Sequence, residues 1–304
     1  MPYEAVNYLN CKPGNVYVDC TLGGAGHAQK ILEKIMPDGI LIGIDADIEA
    51  IKNAENILAP YSKNVILIND NFTNILNVLY KLNIEKVDGI IADLGLSLNQ
   101  IKKSGRGFSF NKDEDLDMRF NQLDKVKAYD FVNKSSKDEL NKIFKEFGEE
   151  RYAKAIARRI IKKRADYPIK SSLMLAEIIR SVVLRKQKKR EKIDPATRVF
   201  MALRIAVNNE FEALNKLLSD SLFLLKSGAR MSIISFHSLE HKIIKRKIKE
   251  MEKECICPSN FPQCVCDGKK EVRIITKKPI RASEYEVEKN SMARSAQLRV
   301  FERI

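Results

Sequence analysis

The first hundred residues repeat one pattern, in which a short apolar run is followed by a segment of helical length with apolar residues at helical spacing. Short, fully apolar strands that alternate with helices are typical of a parallel sheet with helices on both faces. The pattern therefore predicts a doubly wound α/β fold, in which ligands bind beyond the carboxyl ends of the strands. The predicted strands are Val16–Asp19, Ile40–Asp45, Val65–Asn69 and Val87–Asp93.

The pattern changes at residue 104, where a polar, irregular stretch is followed by helical periodicities. We predict a helical insertion domain over residues 104–198, between the two parts of the α/β domain, residues 1–103 and 199–304. Ser136 and Glu139 have the spacing of a capping box at the start of a helix. The predicted elements beyond residue 104 are helices over 135–147, 149–164, 171–183 and 199–225, a helix from 239, and strands over 230–235, 271–276 and 297–303.

Positive charge is concentrated in the predicted insertion. The chain has a net charge of +14, and residues 151–193 alone hold fifteen Lys or Arg against three Asp or Glu, a net charge of +12. Such a field favours a polyanion, most simply nucleic acid, although solvated helix faces give the same composition. Arg151, Lys154, Arg158 and Lys162 recur at spacings of three or four on one face of a predicted helix. We expect these four side chains to contact an RNA phosphate backbone.

The stretch VDCTLGGAGHA, residues 18–28, places three glycines in four positions directly after the first predicted strand. Glycine lets the backbone come into contact with a ligand, and the helix that follows adds unpaired N–H groups. A plain turn between a strand and a helix is the alternative. The next strand ends at Asp45, where a carboxylate commonly binds the hydroxyls of a ribose. We therefore predict a ligand that contains a nucleoside.

Two nucleoside cofactors share this geometry, a dinucleotide and S-adenosyl-L-methionine. The dinucleotide fingerprint G-x-G-x-x-G fails, because Gly24-Ala25-Gly26 is followed three residues later by Gln29. Asp19 would also lie beside a pyrophosphate, whereas a carboxylate suits the sulfonium and amine of the methyl donor. The residues favour S-adenosyl-L-methionine, and a nucleotide-dependent oxidoreductase is the alternative.

Eight stretches spread over almost the full chain carry a family resemblance: DCTLGGAGH (19–27), IGIDAD (42–47), IIADLGLSLNQ (90–100), RGFSF (106–110), LDMR (116–119), GEERYAKAIARRI (148–160), DPATRVFMALRIAVNNE (194–210) and MSIISFHSLEH (231–241). Together they resemble the small-subunit ribosomal RNA cytosine N(4)-methyltransferases of the MraW/RsmH family. The resemblance implies a class I methyltransferase sheet, mostly parallel with an antiparallel C-terminal strand, and an RNA-binding helical insertion. It also implies methylation of the exocyclic amine N4 of a decoding-centre cytidine in 16S ribosomal RNA, either as RNA or in the assembled small subunit.

Matched residue by residue, the resemblance implies cofactor contacts on the glycine turn and at successive strand ends, with Phe72 packed against the adenine. Many amino-group methyltransferases carry Asp/Asn-Pro-Pro-Tyr/Phe after the fourth strand, where this chain has DLGLS, residues 93–97. The group that accepts the proton of the amine therefore stays open, with Asp93 as the first candidate and Ser97 as the second. The implied cofactor contacts are Gly24, Ala25, Gly26, His27, Asp45, Phe72, Asp93 and Gln100.

A base must leave its stack to reach the donor, so aromatic residues near the site are candidates to stack on it. Phe108, Phe110 and Phe236 are such candidates, and anchoring an irregular loop is the alternative for the first two. His237 is a candidate to hydrogen-bond the base or a phosphate, and Ser238 to cap the following helix. The predicted RNA contacts in these segments are Arg106, Phe108, Phe110 and His237.

Four of the six cysteines fall in CICPSNFPQCVC, residues 255–266. Four thiolates on a tight hairpin match a tetrahedral zinc site, and free thiols are the alternative; methyl transfer requires neither. This clustering is unlike a secreted disulfide framework, and with no signal peptide or long apolar run it favours the cytoplasm. The predicted zinc ligands are Cys255, Cys257, Cys264 and Cys266.

One further alternative belongs to a different class of protein. An RNA-binding assembly factor that keeps only the methyltransferase scaffold would bind the donor without turnover. The chain also begins close to the first strand, where members of the resembled family usually have several more residues, so we expect a weaker lid over the site.

Overall fold

A computed structural model describes residues 1–186, 193–254, 257 and 269–304. Before residue 96 the elements are α1 (Pro2–Leu9), β1 (Val16–Asp19), α2 (Gly26–Ile35), β2 (Ile40–Asp45), α3 (Ile48–Ile57), β3 (Val65–Asn69), α4 (Ile75–Lys81) and β4 (Val87–Asp93). Next come α5 (Leu98–Lys102), α6 (Ala128–Lys134), α7 (Lys137–Glu146), α8 (Ala153–Arg164), α9 (Ser172–Lys186) and α10 (Ala196–Asn208). The last are α11 (Glu210–Leu224), β5 (Leu225–Ser235), α12 (Ser238–Glu252), β6 (Val272–Ile274), β7 (Ile280–Arg281), α13 (Glu284–Lys289) and β8 (Gln297–Arg303).

The chain divides into two compact units, the first formed by Met1–Gly95 and Phe211–Ile304 and the second by Leu96–Glu210. The described strands of the first unit form one sheet in the order β3-β2-β1-β4-β5-β8-β6, and β7 also pairs with β8. Strands β1 to β5 are parallel, and β8 is antiparallel to β5. The predicted doubly wound sheet with an antiparallel C-terminal strand is confirmed, and the first four strands have the predicted bounds.

Side chains that alternate along the strands supply two separate cores, as the period of a β-strand requires. Val18, Ile42 and Ile90 pack in one core with apolar residues of α4, α11 and α12. Their neighbours in sequence, such as Tyr17 and Ile91, pack in another core with α1, α2 and α3. Helices thus cover both faces of the sheet, and the carboxyl ends of the parallel strands are left for ligand binding.

The second unit has its own apolar core, built from α6, α7, α8, α9 and α10. Val199, Phe200 and Leu203 on α10 are buried in this core. The predicted α/β domain includes residues from 199 onwards, whereas α10 packs with the helices that precede it. No helix within the described ranges combines the length and the apolar character that a membrane crossing needs.

Left-handed backbone at single residues ends or delays helices that the periodicity predicted to continue. Asn209 has a φ of 50° and separates α10 from α11, so the single helix predicted over 199–225 is wrong. Glu149 has a φ of 48°, and α8 begins at Ala153 rather than at residue 149. The capping box of α7 is confirmed, because Glu139 N donates to Ser136 Oγ at 3.2 Å and Ser136 N donates to Glu139 Oε2 at 2.6 Å.

Candidate active site at the carboxyl ends of the strands

The turn between β1 and α2 presents backbone rather than side chains. Gly23 and Ala25 adopt left-handed conformations, with φ of 47° and 58°. Ala25 is the N-cap residue of α2, and no side chain caps this helix. The first N–H groups of α2 therefore open on the turn without a side-chain acceptor, which suits an electronegative group of a ligand.

Neither backbone conformation nor close packing in the described part of the chain requires glycine at positions 24 and 26. Neither has a left-handed φ, and a Cβ built on either residue meets no described atom within 4 Å. Gly43 is a contrast, because its Cβ would lie 2.6 Å from Cδ2 of Leu22. The open space over Gly24 and Gly26 is what a ligand lying on the turn requires.

Thr21 connects the ends of β1 and β4. Its N–H donates to Asp19 Oδ1 at 3.0 Å, and its hydroxyl oxygen accepts from the backbone N–H of Asp93 at 2.6 Å. Thr21 therefore holds two of the predicted strand-end carboxylates in register. Thr21 is not among the site residues predicted from the sequence, where its only signal is its place between Asp19 and the glycines.

Asp45, at the end of β2, lies against the same turn. Its Oδ2 accepts from Gly23 N at 3.0 Å, and its Oδ1 accepts from Asp47 N at 2.9 Å. The structure thus brings together the glycine turn and the carboxylates of Asp19, Asp45 and Asp93, as the sequence predicted from the strand ends.

Three buried polar atoms beside the turn have no hydrogen-bond partner among the described residues: Asp19 Oδ2, His27 Nε2 and Asp93 Oδ1. His27 and Asp93 face each other, with 3.8 Å between Nδ1 and Oδ2. Buried polar atoms are normally hydrogen-bonded, so three such atoms in one place mark a site for a polar ligand. Together with the open glycines they fit a ligand with cationic and hydrogen-bonding groups.

Burial controls the protonation of these side chains. Burial raises the pKa of Asp19 well above its ordinary value, and the carboxylates of Asp93 and Asp45 add to this effect against the opposing N–H of Thr21. Burial also raises the pKa of Asp93, and His27 partly offsets that rise. Burial lowers the pKa of His27 despite Asp93. Asp93 is thus a stronger proton acceptor than an exposed aspartate.

Two aromatic residues lie at the strand ends of the first unit. Phe72 opens the short turn after β3 and packs, partly buried, against the core. Phe236 directly follows β5, and a Cβ at Gly95 would lie 2.6 Å from its ring carbon Cε2. A larger residue at position 95 would displace the ring, so Gly95 allows Phe236 to lie close to the backbone that follows Asp93.

His237, rather than the predicted Ser238, is the N-cap residue of α12. Glu240 N approaches His237 Nδ1 at 3.4 Å, and His237 Nε2 lies 3.0 Å from Glu240 Oε1. The buried Glu240 carboxylate also accepts from Phe236 N at 2.8 Å. The cap forms here because His237 has the extended backbone of an N-cap residue, whereas Ser238 is already helical. The Nδ1 atom of this imidazole thus belongs to the cap, whereas its Nε2, although close to Glu240, forms no hydrogen bond with a described residue, and the predicted RNA contact stays a prediction.

Ser97 and Gln100 belong to the second unit, where they form a capping box at the start of α5. Gln100 N donates to Ser97 Oγ at 3.2 Å, and Ser97 N donates to Gln100 Oε1 at 2.9 Å. Ser97, the second candidate for the proton acceptor, and Gln100, a predicted cofactor contact, therefore have a structural role in their own unit.

The loop residues predicted to contact RNA are also largely internal to the second unit. Phe108 is 8% exposed and stacks on Phe120 with 5.9 Å between ring centroids. Phe110 packs edge-on against Phe200 at 5.4 Å. The guanidinium of Arg106 donates from Nη1 to the carbonyl oxygens of residues 119 and 120, each at 3.1 Å. Anchoring the loop, the alternative that the sequence left open for the two phenylalanines, is the arrangement in the structure.

The basic helix has the predicted division of faces. Arg151 lies just before α8, and Lys154, Arg158 and Lys162 lie on it; all four are exposed. None of the four has an ion-pair partner within the described part of the chain. The opposite face is buried in the core of the unit and consists of Ala153, Ile156, Ala157 and Ile160.

The predicted zinc site falls mostly outside the described residues. Cys255, Cys264 and Cys266 lie there, and Cys257 is partly exposed and has no disulfide partner among the described residues.

Comparison with known proteins matches residues 1–304 to the MraW methylase family. A protein of Desulfosudis oleivorans named ribosomal RNA small subunit methyltransferase H is 48% identical over 304 residues, which are 100% of this chain and 97% of that protein. Proteins with the same name from Clostridium botulinum and Halothermothrix orenii are 49% and 46% identical, each over 99% of this chain and 96% of the relative. With its full length matched and its glycine turn intact, this chain belongs to the MraW methylase family.

Proposed function

We propose that this chain transfers a methyl group from S-adenosyl-L-methionine to the exocyclic amine N4 of a decoding-centre cytidine in 16S ribosomal RNA. The observation that carries the proposal is the open glycine turn beside three unpaired buried polar atoms. The full-length similarity to proteins named ribosomal RNA small subunit methyltransferase H supports the RNA substrate. The eight stretches that resemble the MraW/RsmH family support the cytidine amine as the acceptor.

The residues of the site fit the proposed donor part by part. Gly24 and Gly26 leave room for its methionine portion, and the carboxylate of Asp19 compensates its positive charge. Asp45 accepts hydrogen bonds from the ribose hydroxyls, as a carboxylate at this strand end commonly does. The ring of Phe72 packs against the adenine. The remaining donor contacts are Ala25, His27, Asp93 and Gln100.

Asp93 has the main role toward the methyl acceptor. When bound, the donor supplies a methyl group on a positively charged sulfur, which is a good leaving group. The lone pair of the cytosine amine is delocalised into the ring, so an acceptor for its N–H groups keeps electron density on the nitrogen. Asp93 Oδ1 is buried and unpaired among the described residues, and burial raises its pKa, so it can hold the amine and take its proton. Ser97 is the second candidate for this role.

Other residues hold the RNA. The ring of Phe236 lies beside the backbone after Asp93, where it can stack on the extruded base. The exposed cations of α8 bind the phosphate backbone, which sets affinity and placement rather than sequence choice. Structured RNA is recognised largely through its shape, so the assembled small subunit is the preferred substrate.

The test combines methyl transfer with donor binding. The protein is incubated with labelled S-adenosyl-L-methionine and small ribosomal subunits that lack this methylation. The RNA is then digested, and the modified nucleoside is identified by mass spectrometry. Donor affinity is measured by calorimetry for the wild type and for Asp93→Asn, which keeps the shape of the side chain but removes its charge.

The proposal expects N(4)-methylcytidine at one position, with the label lost in Asp93→Asn while the structure is retained. Label in another nucleoside would refute the cytidine amine as the acceptor. Donor binding with no label in RNA would favour an assembly factor that keeps the scaffold. No donor binding would refute the assignment of the glycine turn.

A further inference from the structure

A buried arginine of the first unit has no carboxylate partner among the described residues. Arg299 on β8 is 7% exposed. Its Nη1 donates to the carbonyl oxygen of Thr276 at 3.3 Å, and its Nη2 lies 3.4 Å from Nε2 of His241. Its Nε has no hydrogen-bond partner among the described residues. Buried charges in proteins are normally paired, so the charge of Arg299 is an exception that needs a counter-ion.

Sheet register places a second arginine near the first. Arg281 on β7 is paired with Gln297 on β8, two residues before Arg299. Directly paired residues, and residues two apart on one strand, project from the same face of a sheet. Arg299 is paired with Ile233, whose side chain packs in the core that α12 covers. Arg281 and Arg299 therefore share the face of the sheet that lies under α12.

Helix α12 brings a lysine to the same place. His241 and Lys245 are one helical turn apart, on the side of α12 that carries the buried Ile244 and Ile248. Burial lowers the pKa of His241, and the positive charges of Arg299, Lys245 and Arg281 lower it further. The imidazole accepts from the guanidinium of Arg299, so it is neutral and contributes no compensating charge.

Arg281, Lys245 and Arg299 thus form a cationic cluster, of which the first two side chains are exposed. None of the three has an ion pair with a carboxylate in the described ranges. The buried charge of Arg299 is weakly screened by salt and adds to the field of the exposed pair. We propose that this cluster binds a phosphate group of the RNA backbone, with Arg281 and Lys245 in contact with it and Arg299 behind them.

The position of the cluster suits the proposed function, on which this inference rests. Strand β5 separates β4 from β8, and Ile234 is paired with both Asp93 and Leu298, the residue before Arg299. Two strand spacings amount to about 10 Å. A phosphate at the cluster would therefore be held near the end of β4 that carries Asp93, on the face of the sheet that α12 covers.

The test measures RNA binding without the methyl donor. Affinity for a fragment of small-subunit ribosomal RNA that contains the decoding centre is measured by fluorescence anisotropy over a series of KCl concentrations. The variant is Lys245→Gln with Arg281→Gln, both at exposed positions. One control is Lys63→Gln with Lys81→Gln, which removes the same charge at the amino ends of the strands. A second control, Lys245→Arg with Arg281→Lys, keeps the charge of the cluster.

The inference expects affinity to fall about tenfold in the Gln pair, with the salt dependence shallower by about one ion per cation removed. Both controls should bind as the wild type does. Equal affinity and equal salt dependence in the Gln pair would overturn the inference.

Inorganic phosphate separates the two sources of the ligand. If it raises the melting temperature of the wild type but not of the Gln pair, while both bind RNA equally, the site takes free phosphate and the RNA assignment is overturned. RNA binding is measured here without the donor, so this inference and the proposed function can fail separately. If the wild type methylates RNA in the methyl-transfer assay but the Gln pair binds RNA as tightly as the wild type, only the cluster is refuted. Cluster-dependent binding without methyl transfer refutes the proposed function alone.

Discussion

The hydroxyl oxygen of Thr21 accepts a hydrogen bond from the backbone N–H of Asp93, with 2.6 Å between oxygen and nitrogen. This contact joins the turn that follows β1 to the end of β4. It fixes the proposed donor turn relative to the proposed proton acceptor. Methyl transfer by in-line displacement depends on such alignment, so a small shift between these two groups should be costly.

Replacing Thr21 by Val should impair catalysis more than donor binding. The methyl group of Val cannot accept, so the N–H of Asp93 loses its partner, at a cost of about 1–3 kcal/mol in the free energy of unfolding. We expect kcat to fall by at least about tenfold, because the end of β4 is no longer held. Thr21→Ser keeps the acceptor and should retain most activity. Equal kcat in the Val and Ser variants would contradict the alignment role.

Replacing Gly26 by Ala should abolish donor binding without destabilising the fold. A Cβ at this position meets no atom of the described residues within 4 Å, and Gly26 is the first residue of α2, where Ala is the better helix former. The melting temperature should stay equal or rise, while calorimetry shows little donor affinity. Gly43→Ala is the matched control, because its Cβ would clash with Leu22 and should lower the melting temperature instead. Donor affinity at the wild-type level in Gly26→Ala would exclude a ligand on this turn.

Replacing Asp19 by Asn should stabilise the protein without its donor, and this stabilisation should increase as pH rises. The pKa of Asp19 is raised in the folded state, so the folded state holds this proton more tightly than the unfolded chain does. The wild type therefore loses stability as pH rises from the ordinary value of 3.8 toward the raised folded-state pKa. Asn keeps an oxygen acceptor for Thr21 N and has no proton to lose. Chemical denaturation from pH 4 to 8 should show that the free energy of unfolding of the variant rises relative to that of the wild type. A constant difference between the two proteins would refute the raised pKa.

Replacing Phe236 by Leu should weaken use of the RNA substrate. A leucine fills part of the space against Gly95 but offers no ring face, and stacking of a base on an aromatic residue contributes about 1–3 kcal/mol. We expect kcat/KM for small subunits to fall about tenfold or more, with donor affinity unchanged. Phe236→Tyr keeps the ring and should retain activity. If the Leu and Tyr variants have the same kcat/KM for small subunits, Phe236 does not stack on the base.

Replacing Arg158 and Lys162 by Gln should reduce RNA affinity and its salt dependence. Both side chains are exposed on α8, so their loss should leave the melting temperature unchanged. The salt dependence should become shallower by about one ion per cation. Lys142→Gln with Lys145→Gln, on the exposed face of α7, is a control of equal charge and should have a smaller effect. If the two pairs of substitutions reduce RNA affinity equally, RNA binding depends on the net charge of the protein rather than on this face of α8.

Local patterns in the sequence determined the sheet, because apolar runs and helical spacing express burial directly. The four strands before residue 94 have the predicted bounds, and the same strand ends carry Asp19, Asp45 and Asp93. Since parallel strands end at one edge, the sequence could predict that these carboxylates meet beside the glycine turn. The exposed face of α8 followed from spacing in the same way.

Tertiary structure decided what depends on one residue's backbone or on distant partners. The left-handed conformation of Asn209 ends α10, and the extended backbone of His237 makes it the cap in place of Ser238, although neither interrupts a periodic pattern. Burial of Phe108 depends on Phe120, which composition does not reveal. The contacts from Thr21 to Asp93 and from Arg299 to His241 join residues 72 and 58 positions apart. Such contacts arise from sheet register and helix packing, and a local pattern carries no information about either.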